Sequence, residues 1–258
     1  MATEDEIKDA VGALDALTRR LRVECPWDRE QDERSIVPHT VEEAYELAAA
    51  AHDGDDAKLL DELGDVLFQV HFLSLLLEER GAGDMADVAE HCRAKLIRRH
   101  PHVFGETEVA NAGEVLRNWD AIKATEAGRE PGIFGEVPEN LPGPLHARKV
   151  QRRAAGSGFD VDEVPFAAVE GQLEAVAAVQ GDREALFAAV GDLLFAVVNV
   201  ARKHDVDPEL SLRASSGRFR GRVEAAQELA ARAGVAWDDA PSHLKLHFYA
   251  QARLDETP

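Results

Sequence analysis

Cysteine is scarce, with only Cys25 and Cys92 in 258 residues, too few for a disulfide framework and suited to a reducing compartment. A cytoplasmic location is the expectation. Long apolar runs are missing too: the longest, Val66 to Leu77, is broken by Gln69, His71 and Ser74 and falls short of the roughly 18–20 residues a membrane span needs. No membrane passage is expected. Met1 to Lys8 is acidic and polar, so no secretory or transit peptide is expected. Positive charge is in deficit, 29 Lys and Arg against 49 Asp and Glu, for a net charge of −20. Such a chain repels a polyanion unless its basic residues gather on one face, which argues against nucleic acid as a partner. To handle phosphates it needs bound cations or a local basic cluster. Strand signals are weak, since long period-two alternation and Asn-Gly hairpins do not occur.

Helical patterning is what the chain has. Ile7, Val11, Leu14, Leu17 and Leu21 form an amphipathic stripe ending before Cys25-Pro26-Trp27-Asp28. Further helices are predicted over Thr40–His52, from the polar turn 53–56 to Arg80, over Met85–Arg99 and over Gly113–Ala127, with Gly128 as a stop. Pro131, Gly132, Gly135, Pro138, Pro142, Gly143 and Pro144 then crowd a stretch that helices do not tolerate. The implied organisation is a helical domain over 1–128, a linker over 129–145 and a second helical domain over 146–258. In the latter, helices are predicted over His146–Ala155, Phe166–Val179, Glu184–His204, Pro208–Ala233 and Ser242–Leu254.

The halves read as a repeat. Gly64-Asp65-Val66-Leu67-Phe68-Gln69-Val70 reappears as Gly191-Asp192-Leu193-Leu194-Phe195-Ala196-Val197, 127 positions on. The fold class is therefore all-α, a tandem duplicated helical unit.

Residues three apart share a helix face, so Glu43 pairs with Glu46 and Glu62 with Asp65. A short connection folds the two helices into an antiparallel hairpin, and both acidic pairs face one groove. Two carboxylates at about 4 Å repel by roughly 4 kcal/mol at an effective dielectric of 20, so four require protons or cations. Oxygen-only ligands favour magnesium or manganese. A structural reading competes: Thr40-x-x-Glu43 has the pattern of a capping box, and Glu62 has that of a solvated face residue. Asp65, beside the apolar Val66-Leu67-Phe68, tips the balance, because a charge next to a buried seam calls for a partner or a metal.

Taken in order, these residues resemble the MazG family of all-helical nucleoside triphosphate pyrophosphohydrolases. The resemblance runs through His39-Thr40-Val41-Glu42-Glu43-Ala44-Tyr45-Glu46, Asp61-Glu62-Leu63-Gly64-Asp65, Cys25-Pro26-Trp27-Asp28, Lys95 to Phe104 and Trp119-x-x-x-Lys123, then Ala147 to Gln151 and Gly158-Phe159-Asp160. It implies magnesium, with manganese able to substitute, held by Glu43, Glu46, Glu62 and Asp65. It implies hydrolysis of nucleoside triphosphates to monophosphate and pyrophosphate in nucleotide-pool housecleaning, and a homodimer. Glu42 and Asp61, each beside a proposed ligand, are candidates to orient or deprotonate the attacking water. Lys58, Lys95, Arg98, Arg99 and Lys123 are candidates for the phosphates and Trp119 for the base.

In the second half the matching acids read Gly171-x-x-Glu174 and Ala189-x-x-Asp192, and Lys58 is matched by Ala185. Two carboxylates are a poor cage for magnesium, so that half is read as degenerate. A di-metal oxidase would need Glu-x-x-His, which is absent from the chain. The remaining alternative is a non-catalytic regulatory or nucleotide-binding module.

Overall fold

The computed structural model describes residues 1–126, 132–135 and 137–255, and all regular structure among them is helical. The chain divides into two compact units, Met1–Arg129 and Glu130–Pro258. The first holds α1 (Glu4–Glu24), α2 (Pro26–Glu30), α3 (Glu33–Asp53), α4 (Asp56–Glu79), α5 (Met85–Arg99), α6 (Pro101–Phe104) and α7 (Ala112–Ala124). The second holds α8 (Gly143–Gly156), α9 (Phe166–Ala178), α10 (Arg183–Lys203), α11 (Pro208–Arg232) and α12 (Ser242–Asp255).

The α3–α4 hairpin is the scaffold of the first unit. Helix α3 starts two turns earlier than the Thr40 start read from sequence, because Asp32 and Ser35 exchange side-chain and backbone hydrogen bonds as a reciprocal cap. Pro38 is thereby carried inside the helix. The chain reverses in two residues: Gly54 caps α3 at φ +71°, a left-handed geometry suited to glycine, and Asp55 accepts from the amides of Ala57 and Lys58 to start α4. Ile36, Phe72 and Leu76 form the buried core at the far end of the hairpin. Helix α1 closes that end through Arg19 on Glu78, at 2.9 and 2.6 Å, and Arg22 on Glu79, at 2.8 and 2.9 Å. Its Asp15 meets the buried His71 at 3.4 Å. The Cys25-Pro26-Trp27-Asp28 motif belongs to this scaffold, since Pro26 opens α2 and the Asp28 carbonyl accepts from Arg22 at 2.5 Å.

The second unit repeats the design. Helices α9 and α10 pack as a hairpin, and Asp182 caps α10 through the amides of Glu184 and Ala185, as Asp55 caps α4. The motif residues of α8 and the loop after it act as ties. Gln151 donates to the Phe195 carbonyl at 2.8 Å, Arg148 pairs with Asp207 at 2.6 Å, and Asp160 binds both Arg202 and Lys203. Ala226, Ala230, Phe248 and Ala252 form the core between α11 and α12.

Helix α8 begins inside the stretch read as a linker, because Pro142 and Pro144 stand at the helix start, where a missing N–H costs nothing. The expected stop at Ala127 and Gly128, and Pro131, lie outside the described residues. One helix among the described residues, α10, is long and apolar enough to cross a membrane by length and composition, exceeding the run read in α4. In the repeat, α10 is the counterpart of α4.

Candidate active site

The hairpin register sets the site. Thr40 stands opposite Gln69, and its hydroxyl lies 3.4 Å from both the Gln69 side-chain oxygen and the Ile36 carbonyl. Thr40 is thus an interior helix residue and not a cap. The proposed capping box with Glu43 does not form, which leaves the Glu43 carboxylate to the groove. One turn toward the hairpin bend, carboxylate oxygens of Glu43, Glu62 and Asp65 lie within 4.8 Å of one another. Among the described residues no other trio of acids, histidines or cysteines converges in this way.

Glu62 is 5% exposed, and among the described residues no Lys, Arg or His forms an ion pair with it. Burial pushes its carboxyl above the usual range, with Glu46 the next cause and Lys58 opposing. Burial raises the Glu43 carboxyl as well, followed by the charges of Asp65, Glu46 and Glu62. Glu46 therefore belongs to the electrostatic group, although its oxygens stand outside the converging trio. Glu43 and Glu62, both raised, stand with Asp65 in an oxygen-only set that fits a hard divalent cation. Beside them an open groove is lined by Ala57, Lys58, Leu60, Asp61, Gly64 and Asp65. It brings one predicted phosphate cation, Lys58, and one predicted base, Asp61, to the trio. Glu42 is exposed, with His39 Nδ1 3.9 Å away.

The remaining predicted cations form a second cluster on α5 and α7. Arg99 and Lys123 lie over the Trp119 ring at 5.5 and 5.4 Å, and the indole N–H is buried without a hydrogen-bond partner. Arg98 and Arg99 both bind the carboxylate of Glu126, so Arg98 does more than complement a helix end. Lys95, half-buried on the same helix, is one turn from Arg99. Glu126 was missed by sequence reading. Helical spacing gave no signal for it, because Glu126 lies past Thr125, the C-cap of α7. His100 and His102 do not form a metal pair with the acids; His100 Nδ1 meets the Leu96 carbonyl at 2.6 Å.

In the second unit each facing pair retains one acid. Ala189 is buried where Glu62 stands in the first unit, and both Glu174 and Asp192 are exposed. Tyr249, matched to Trp119, packs on Phe219 at 5.7 Å in place of cations.

The family model of the MazG nucleotide pyrophosphohydrolase domain matches residues 31–104, which span α3 to α6. The chain is 39% identical over 222 residues to the nucleoside triphosphate pyrophosphohydrolase of Escherichia coli (strain K12), covering 82% of this chain and 83% of the relative. It is 36% identical over 237 residues to the nucleoside triphosphate pyrophosphohydrolase/pyrophosphatase MazG of Thermotoga maritima, covering 90% and 91%. It is 32% identical over 163 residues to the nucleoside triphosphate pyrophosphohydrolase of Mycobacterium tuberculosis, there covering 62% of this chain and 48% of the relative.

Proposed function

Since the chain belongs to the MazG family of nucleotide pyrophosphohydrolases and hydrolyses nucleoside triphosphates to monophosphate and pyrophosphate, we propose that it does so with magnesium held by Glu43, Glu62 and Asp65. The observation that carries this reading is the convergence of those three oxygens within 4.8 Å of one another, with Glu62 buried, Glu43 half-buried and Asp65 exposed in the groove. Glu46 adds charge to the same group, and its carboxylate, outside the trio in this structure, would be the fourth ligand. A bound divalent cation supplies charge neutralisation for the triphosphate and Lewis-acid polarisation of its phosphorus centre. The chain's own residues do the rest. Lys58 meets phosphate oxygens from the groove, Lys95, Arg98, Arg99 and Lys123 take the remainder of the chain of phosphates, and Trp119 offers its ring to the base. Asp61, in the groove beside Asp65, orients the attacking water and accepts its proton, with Glu42 in support. The second unit, with one acid per facing pair, has no crowding for a cation to relieve and is not catalytic.

The working form is a homodimer. Leu60, Leu63, Leu67 and Val70 are exposed along α4, and Phe187, Val190, Leu194 and Val197 repeat that stripe on α10. An apolar stripe at this spacing is the seam of a helix that packs against another helix. Leu60 also lines the groove, so a partner along the stripe would wall the substrate in.

The test is pyrophosphate release from a panel of nucleoside triphosphates, with and without magnesium, and with product identification in labelled water. Turnover that needs magnesium or manganese and fails in calcium is expected. Full turnover in excess chelator would sink the metal assignment.

A further inference from the structure

Glu126 follows Thr125, the C-cap of α7, and sets its carboxylate between two adjacent arginines of α5. Arg98 donates from Nε and Nη2 to Oε1 at 3.2 and 2.7 Å. Arg99 donates from Nε to Oε1 at 2.9 Å and from Nη2 to Oε2 at 2.5 Å. The Arg99 and Glu126 side chains are only 12% and 15% exposed, which separates this from a solvent-screened surface pair. Hydrogen bonds from Arg99 and then Arg98 hold the carboxyl down at about 2. Two guanidinium groups on one anion, Arg99 across both oxygens and Arg98 on Oε1, is the arrangement arginines make with phosphate. Around it, Arg99 and Lys123 lie over the Trp119 ring, whose buried N–H has no acceptor. In a chain of net charge −20, a cationic cluster with an unused buried donor is built for an anion larger than a carboxylate.

Resting on the reading that these arginines hold substrate phosphates, we propose that Glu126 is an internal competitor for them: its carboxylate occupies the fork that phosphate oxygens take, and the nucleotide must displace it. The physical consequence is uniform. A site that binds only when Glu126 is out has its apparent dissociation constant multiplied by the inverse of the fraction that is out. Triphosphate substrate and pyrophosphate product are weakened by the same factor, so the residue raises KM and hastens release without touching the reacting atoms. Ligands that do not use the arginines are unaffected.

Glu126→Gln keeps the shape and removes the charge. Its KM for a nucleoside triphosphate and its inhibition constant for pyrophosphate are expected to fall together, by about three- to thirtyfold given the strength of charge-assisted hydrogen bonds. The kcat is expected to stay level, or to fall if release becomes limiting. Magnesium alone, followed by its thermal shift, is expected to bind as before. Glu126→Ala, with its melting curve, guards against a local folding effect and is expected to move both constants in the same direction. A rise in KM in Glu126→Gln would mean that Glu126 positions the arginines and does not compete, overturning the proposal. Unchanged constants in both Glu126 variants, with a raised KM in Arg99→Gln, would overturn competition while leaving the phosphate role of Arg99 standing. Unchanged constants in Arg99→Gln would remove that role, and the proposal with it.

Discussion

Glu62 is the buried member of the proposed metal site. A carboxylate 5% exposed, within 4.8 Å of the Glu43 and Asp65 oxygens and raised by the charge of Glu46, costs folding free energy unless something cancels its charge. Replacing Glu62 or Asp65 with the amide is expected to slow pyrophosphate release about tenfold to a thousandfold, the range usual for electrostatic groups at a transition state. The same change at Glu174 or Asp192 is expected to leave turnover unaltered, and the opposite pattern would place the active site in the second unit. Thermal stability supplies an independent readout. Magnesium is expected to raise the melting temperature of the protein in proportion to the logarithm of its concentration. In Glu62→Gln that response should shrink while the magnesium-free melting point rises, because one repelling charge is gone. The acidic positions were legible from spacing, since a separation of three fixes a helix face whatever packs on it. That Glu46 stands outside the trio was not legible, because it depends on how far one helix is shifted along the other.

At the level of the helices, capping decides what the side chains are free to do. With Asp32 as the cap, Thr40 and Glu43 are interior, and the acid that would have closed a helix end serves the groove. Asp32→Ala is expected to cost about 1 kcal/mol in denaturant unfolding, and Thr40→Ala a few tenths, since it loses only two long hydrogen bonds. Equal costs, or the reverse order, would move the helix start back to Thr40. In the second unit Asp160 ties the loop after α8 to the end of α10 through Arg202, at 2.6 Å, and Lys203, at 3.0 Å. Gly158 at φ +89° makes the turn that delivers it. Arg202 chiefly, and then Lys203, hold the Asp160 carboxyl well below the usual carboxylate range. A folded-state value below the unfolded one, about 3.9, gives stability that is present above that unfolded value and lost as pH falls toward the folded one. Asp160→Asn is therefore expected to lower the melting point at pH 7 and to narrow the gap from the parent near pH 3. A gap constant across that range would show that the ion pair contributes nothing.

For the whole molecule, an apolar stripe stands exposed on α4 in the first unit and its repeat on α10 in the second. Light scattering at micromolar concentration is expected to give a dimer. Under the proposed dimer, Leu60→Glu combined with Leu67→Glu is expected to shift it toward monomer and to lower activity. A monomeric parent protein would remove that part of the proposal. The sequence by itself determined the all-helical class, the repeat, the short turn of the α3–α4 hairpin and the acidic faces, since each follows from local spacing, capping chemistry and turn residues within a few positions. Only the tertiary structure decided that α3 starts at Glu33, that Thr40 meets Gln69, that three acids of four converge, and that Glu126 holds arginines 28 and 27 residues away. Those outcomes turn on the register between helices and on which charge is desolvated beside which, and long-range packing fixes both.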